Sequence, residues 1–308
     1  MKILIFGSDG LVGNSLRRVF EKNLDSKDYK TLFSTRKDAD LFSYDETFDT
    51  IKNFQPNVLI NAAAKVGGIL ANDTQRTDFI IDNVKINLNI LDAVRNFPDI
   101  KVINLGSSCI YPLNAPNPIK EDFIMSGKLE VTNSPYAMAK LMAIEMGDAI
   151  NKESGNKIIN LMPTNLYGPN DNFDPLNSHV IPGIISRMYT SKINSEDEFK
   201  VWGSGSALRE FLYVDDLAEC IFFLLEKEVD AGLLNIGSGE EVSIYQLAKK
   251  IKNIIGYEGQ LVKDLSKPDG NDRKLLDSSK ILNLGWKAKT SLDSGLELTF
   301  NWYKNTFN

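Results

Sequence analysis

The chain has 308 residues, enough for one large or two modest domains at about 150 residues each. Its 35 basic and 41 acidic residues leave a net charge of −6, which disfavours nonspecific nucleic-acid binding, and 43% hydrophobic content is that of an ordinary globule. One histidine and two distant cysteines, Cys109 and Cys220, exclude a multi-histidine metal centre and a CxxC cluster, and no apolar run reaches the ~18 residues of a membrane span. A cytoplasmic α/β enzyme is expected, with no metal, nucleic-acid or membrane partner.

Lys2–Gly7 reads as a buried strand ending in glycine. Gly10–Asn23 then has helical spacing, with Leu11, Leu16, Val19 and Phe20 apolar and Arg17, Arg18, Glu21 and Lys22 polar. Between them stands Gly7-Ser8-Asp9-Gly10-Leu11-Val12-Gly13. Glycines there allow a tight turn and let backbone N–H groups approach a pyrophosphate at the helix start, so a dinucleotide is expected. The next strand ends near Ser34-Thr35-Arg36 rather than in an acid. A hydroxyl and a guanidinium suit a 2′-phosphate, which predicts NADP(H) over NAD(H).

The rhythm continues with a strand at Val58–Ala63, a helix within Thr77–Phe97, a strand at Lys101–Gly106, a helix at Pro135–Glu153 and a strand at Lys157–Met162. Such alternation predicts a doubly wound parallel sheet, Rossmann-like. After about residue 165 the texture turns rich in Pro, Asn and Gly, and apolar segments return at Phe211–Glu226, Leu233–Ile236, Tyr245–Ile255 and Leu292–Tyr303. The expected division is 1–165 plus 209–238 for the dinucleotide, and 166–208 plus 239–308 as a smaller mixed substrate domain. Phe79–Val94 and Tyr136–Ile150 are apolar on most of their circumference, which predicts a homodimer through these helices.

Gly106-Ser107-Ser108-Cys109 ends the fourth strand, and Tyr136 and Lys140 share one helical face at i, i+4. A nearby ammonium is expected to favour the phenolate of a tyrosine whose free pKa is about 10 and to ease proton exchange with a carbonyl. A second such pair, Tyr245 and Lys249, lies on an ordinary amphipathic helix and reads as structural.

The glycine loop, Ser107, Tyr136 and Lys140 resemble the extended short-chain dehydrogenase/reductase family. The segments Ala63–Ile69, Gly106–Pro112, Pro163–Phe173, Asn177–Pro182, Val201–Gly205, Arg209–Asp216 and Ser266–Gly270 resemble its branch of GDP-keto-sugar epimerase-reductases that make GDP-L-fucose. The resemblance spans essentially the whole chain. It implies that Ser107 hydrogen-bonds the C4 carbonyl, Tyr136 protonates it, Lys140 holds the nicotinamide ribose, and Cys109 and His179 are the base and acid that invert C3 and C5. A thiol of pKa about 8.5 is already partly ionised near neutrality, and a nearby cation would raise that fraction. If His179 starts a helix, the helix dipole is expected to lower its pKa.

The same resemblance places the cofactor against Gly7, Gly10, Leu11, Val12, Gly13, Arg36, Asp40, Leu41, Ala62, Ala63, Leu105, Lys140, Pro163, Asn165, Leu166 and His179. The GDP-sugar falls against Asn165, Val180, Arg187, Val201, Trp202, Arg209, Asp269 and Lys274. Asp9 departs from members that carry a basic residue there. A reductase of a related GDP-4-keto sugar, such as a heptose, without epimerisation is the second reading. The intact Ser–Tyr–Lys set speaks against a non-catalytic NADP-binding module.

Overall fold

The computed structural model describes residues 1–24, 29–175, 177–229, 232–267 and 271–307. The chain opens with β1 (Lys2–Phe6), α1 (Leu11–Leu24), β2 (Lys30–Ser34), α2 (Tyr44–Phe54) and β3 (Val58–Asn61). It continues through α3 (Ile69–Thr74), α4 (Arg76–Val94), β4 (Lys101–Leu105), α5 (Ser134–Ser154), β5 (Lys157–Pro163) and β6 (Asn165–Tyr167). There follow α6 (Val180–Ile193), β7 (Glu198–Trp202), β8 (Leu208–Tyr213), α7 (Val214–Leu225) and β9 (Gly232–Ile236). The chain ends with β10 (Glu241–Ser243), α8 (Ile244–Ile255), β11 (Gln260–Asp264), β12 (Arg273–Lys274), α9 (Ser279–Asn283) and α10 (Leu292–Phe307).

β1 to β5 and β9 form a six-stranded parallel sheet in the order β2-β1-β3-β4-β5-β9. The expected doubly wound sheet is therefore present. Its central strands are apolar over most of their length because both faces are covered. Ile3, Ile5, Ile60, Ile103 and Leu161 enter a core with Leu16 and Phe20 of α1 and Leu217 and Ile221 of α7. The alternate residues Leu4, Phe6, Leu59, Val102 and Ile158 enter a second core with Ile51, Ile90, Leu91 and Ala143 from α2, α4 and α5. β2 lies on one side of β1 and β3 on the other, so the order reverses there and opens the crevice at the strand carboxyl ends where this fold binds ligands.

A buried amide ladder crosses that end of the sheet. Asn61 donates to Asn104 at 2.8 Å, Asn104 donates to Asn160 at 2.9 Å, and Asn61 also donates to Asn87 of α4 at 3.2 Å. The Asn61 oxygen accepts from the Ala63 N–H at 3.1 Å, which fixes the chain as it leaves β3.

The smaller layer is built around β8, which pairs antiparallel with β10 and parallel with β6 and β12; β7 and β11 form a separate parallel pair. Its core joins Ile184 and Met188 of α6, Leu247 and Ile251 of α8, and Leu296 and Phe300 of α10. Within 209–238, β8 sits in this layer, whereas α7 packs on α1 and β9 completes the large sheet.

Candidate active site

At the switch point Gly7 adopts φ 78°, and a Cβ there would stand 2.6 Å from the Ala63 backbone. A Cβ on Gly13 would stand 2.3 Å from the Gly7 carbonyl oxygen. Only glycine permits either contact, and the turn brings Ala62 and Ala63 against the start of α1. The Leu11, Val12 and Gly13 N–H groups in the first turn have no intrahelical acceptor, which is what an incoming phosphate needs. A Cβ on Gly10 would meet nothing nearer than 3.5 Å, so the cradle is open there. These residues fit a dinucleotide pyrophosphate.

At the end of β2 the expected hydroxyl partners are already engaged or enclosed. Ser34 is 1% exposed, and Thr35 donates its hydroxyl and its N–H to Asp38, both at 2.8 Å. Those two bonds hold the Asp38 carboxyl below its ordinary range. Arg36 stays open: its side chain is 73% exposed, lies over the Phe42 ring at 5.1 Å, and approaches Asp40 only to 4.0 Å. Leu41 is pinned beside it by Asn89, which donates to its carbonyl at 2.8 Å. A 2′-phosphate would thus be met by the guanidinium rather than by the hydroxyls.

The catalytic candidates from β4 and α5 come together. Ser107 caps a single 3₁₀ turn over Ser108–Ile110, and its hydroxyl accepts from the Cys109 N–H at 3.4 Å. Lys140 is 2% exposed and donates to the Leu105 carbonyl at 2.7 Å, with its ammonium 5.8 Å from the Tyr136 ring centre. Burial lowers the Lys140 pKa to about 8, against the opposing pull of Cys109. Two expectations are corrected here. Tyr136 is not shifted towards phenolate: burial and the neighbouring Cys109 push its hydroxyl well above the ordinary value. Burial also raises the Cys109 thiol, outweighing Lys274, a hydrogen bond with Ser107, and Lys140, which all favour the thiolate. The resting site therefore holds a neutral phenol and a thiol.

His179 caps α6 and is exposed. Its pKa is lowered, as expected; the protein round the ring displaces hydrating water, which accounts for the direction even though the residue keeps exposed surface. The backbone before it is clamped by Gly68, whose N–H donates to the Asn177 carbonyl at 2.9 Å. Phe79 connects the two sides: it packs edge-on against Tyr136 at 6.2 Å and stands 3.1 Å from a Cβ built on Gly67.

On the substrate side Arg187 stacks over Trp202 at 4.5 Å and over Phe199 at 5.0 Å, and Arg209 donates to the Leu208 and Asn271 carbonyls. Burial lowers the pKa of both arginines. Lys274 pairs in register with Arg209. Desolvation lowers its pKa and Arg209 adds to this, while Cys109 and Glu130 oppose it. Asn165 and Val180 are exposed, and Pro163 and Leu166 lie on the strand ends between the layers. Val201 does not present its side chain, which is 2% exposed in the smaller core, because β7 alternates and turns Trp202 outward instead. Asp269 lies outside the described residues. Tyr245 and Lys249 sit on α8 in the smaller layer, and Cys220, on α7, is fully buried against the large sheet.

Three residues that sequence reasoning passed over belong with this set. Burial alone would raise the Glu130 pKa, but bonds from Thr132 and Asn133 together with Lys274 bring it below the ordinary range, so a carboxylate faces Lys274. Gly68 and Glu210 both sit inside segments that carry the resemblance, yet nothing in their types marks them as close contacts.

The chain matches the model of the "NAD dependent epimerase/dehydratase family" over residues 3–237. It is 46% identical to GDP-L-fucose synthase 1 of Arabidopsis thaliana, covering 100% of this chain and 94% of that protein. A solved GDP-L-fucose synthetase from Naegleria fowleri bound to NADP superposes with a TM-score of 0.90 at 30% identity, covering 99% of this chain and 94% of that one. A solved GDP-6-OMe-4-keto-L-xylo-heptose reductase from C. jejuni also reaches 0.90 at 30% identity, covering 99% and 97%.

Proposed function

Because this chain belongs to the NAD dependent epimerase/dehydratase family, and within it to the group of GDP-L-fucose synthases, we propose that it converts GDP-4-keto-6-deoxy-mannose to GDP-L-fucose with NADPH. The observation that carries this reading is the convergence of Ser107, Cys109, Tyr136 and Lys140 beyond the backbone cradle of α1. Residues 1–165 with 209–238 would serve the cofactor, except that β8 with Arg209 lies in the smaller layer, and 166–208 with 239–308 the GDP-sugar.

Bound NADPH supplies a hydride to C4. Gly7, Gly10 and Gly13 with the first-turn N–H groups would hold its pyrophosphate, Arg36 its 2′-phosphate, and Lys140 its nicotinamide ribose. Protons at C3 and C5 are acidified by the ketone, and Ser107 stabilises negative charge on its oxygen. Cys109, its thiolate favoured by the charges of Lys274 and Lys140, takes a proton from one face; His179 returns one on the other. Tyr136 starts as a neutral phenol and gives its proton to the C4 oxygen as reduction occurs, and the buried Lys140 ammonium stabilises the phenolate left behind. Arg187, Arg209 and Lys274 supply local positive charge for a diphosphate in a protein of net charge −6.

The similarity to a heptose reductase supports the second reading, reduction of a related GDP-4-keto sugar without epimerisation. Retention of both Cys109 and His179 favours epimerisation. Product analysis after incubation with GDP-4-keto-6-deoxy-mannose and NADPH separates the two: GDP-L-fucose is expected, and an unepimerised GDP-6-deoxy-D-sugar would overturn the assignment.

A homodimer is proposed through α4 and α5, which pack on one another yet leave Ile81, Leu88 and Met138 more than 40% exposed. A monomeric mass in sedimentation would refute it. A cytoplasmic setting is proposed because Cys109 and Cys220 are free thiols. No helix among the described residues is long and apolar enough to cross a membrane.

A further inference from the structure

Glu210 is a buried acid that the proposed reaction leaves unused. It lies in β8 with no exposed surface, and among the described residues no ion pair meets it. Backbone donors meet it instead: the Gly239 N–H at 2.7 Å on Oε1 and the Leu276 N–H at 3.2 Å on Oε2. Its own carbonyl accepts from the Thr164 hydroxyl at 3.1 Å and from the Asn165 side-chain amide at 2.8 Å. The fit around the carboxylate is close, since a Cβ on Gly237 would stand 2.3 Å from Oε1. A buried carboxylate is costly, and the N–H donors offset part of that cost.

The placement of these partners gives the acid a task. Gly239 lies in the turn from β9, the last strand of the large sheet, to β10 of the smaller one. Leu276 follows β12, whose Lys274 sits opposite Arg209, the residue before Glu210. Thr164 and Asn165 mark the passage from β5 to β6. One side chain and its carbonyl thus tie the seam between the layers at the point where three of the residues assigned to the GDP-sugar emerge.

We propose that Glu210 is a positioning residue for the nucleotide diphosphate: by tying Gly239 and Leu276 to β8 it holds Arg209, Lys274 and Asn165 in the arrangement that grips GDP. This rests on the reading of those three residues as the GDP-sugar contacts. A glutamine keeps the volume but puts an NH₂ against one of the two N–H donors, so one tie becomes a donor–donor contact. Gly237→Ala reaches the same end differently, because its Cβ displaces the carboxylate while Gly237 has no positive φ to strain.

The test measures GDP and NADPH binding to the full chain by calorimetry, with the sugar-nucleotide KM and kcat alongside, for the parent, Glu210→Gln and Gly237→Ala. Both variants should raise the GDP Kd and the sugar-nucleotide KM about tenfold, with NADPH Kd nearly unchanged and kcat falling less than KM rises. A GDP Kd near the parent value, or equal losses towards GDP and NADPH as a general packing defect would produce, overturns the proposal. If Glu210→Gln does not fold, Gly237→Ala carries the same comparison. In the parent itself GDP should slow hydrogen exchange at the Gly239 and Leu276 amides, and unchanged exchange there counts against the proposal whatever the variants do. A parent that binds no GDP would instead overturn the substrate reading.

Discussion

Replacing Gly68 with alanine tests how His179 is held. The Gly68 φ of −67° suits alanine, so the substitution strains no dihedral. Its Cβ, however, would stand 2.3 Å from the Ser178 carbonyl oxygen and 3.3 Å from that of Asn177. Relieving the nearer contact requires a backbone displacement of about 1 Å, because repulsion rises steeply inside van der Waals range. Ser178 has little room to retreat, since its Oγ lies 2.7 Å from a Cβ position on Gly183 in α6. His179 is the next residue and must move with it. A misplacement of about 1 Å in a reacting group costs on the order of 10²-fold, or about 2.7 kcal/mol of barrier. The assay is deuterium incorporation at C3 and C5 of GDP-4-keto-6-deoxy-mannose in D₂O without NADPH, with cofactor affinity measured alongside. Exchange at C3 and C5 should fall about 10²-fold while NADPH affinity holds. Exchange within about threefold of the parent would refute the clamp, since that is under 1 kcal/mol of barrier.

The other predictions follow from the same geometry. Tyr136→Phe removes the proton donor and should abolish NADPH oxidation by the keto-sugar while C3 and C5 exchange continues; loss of both together would contradict the division of roles. Cys109→Ser should lose exchange before reduction, and parental exchange rates would show that Cys109 is not the base. Arg36→Ala removes a 73% exposed side chain, so stability should shift by less than about 0.5 kcal/mol while the preference for NADPH over NADH drops; an unchanged preference would refute the 2′-phosphate role. Lys140 has a folded pKa of about 8, below the ~10.4 of an unfolded lysine, so the unfolded chain binds more protons between those values. Its destabilisation is complete below pH ~8 and is relieved as pH rises towards ~10, a gain on the order of 3 kcal/mol. Urea unfolding of parent and Lys140→Met at the two ends of that window should show a gain larger in the parent by about that amount, because Lys274 titrates in both, and equal changes would contradict it.

The large sheet was legible because its central strands are apolar on both faces and alternate with helices at a steady interval, a pattern set within a few residues of chain. The glycine loop, Ser107 and the Tyr136–Lys140 pair were legible for a related reason: their spacing is local and their place at strand ends follows from the fold. The small sheets were not. β12 has two residues and β6 and β10 three each, so their pairing rests on partners distant in sequence rather than on periodicity. Protonation states are not legible where burial decides them. Tyr136 and Cys109 each have a cation nearby, but desolvation, which sequence does not display, outweighs it. Thr35 has the residue type of a phosphate partner, whereas Asp38 three residues on already takes both of its donors. Glu210 lay in view inside Arg209–Asp216, and only its zero exposure distinguishes it from a surface acid.

The central claim is that one site both epimerises and reduces a GDP-4-keto-6-deoxy sugar. Incubating the protein with GDP-4-keto-6-deoxy-mannose and NADPH in D₂O, then reading the product by NMR, tests it most directly. GDP-L-fucose carrying deuterium at both C3 and C5 is the predicted result. A C4-reduced product with protium retained at both carbons would contradict it.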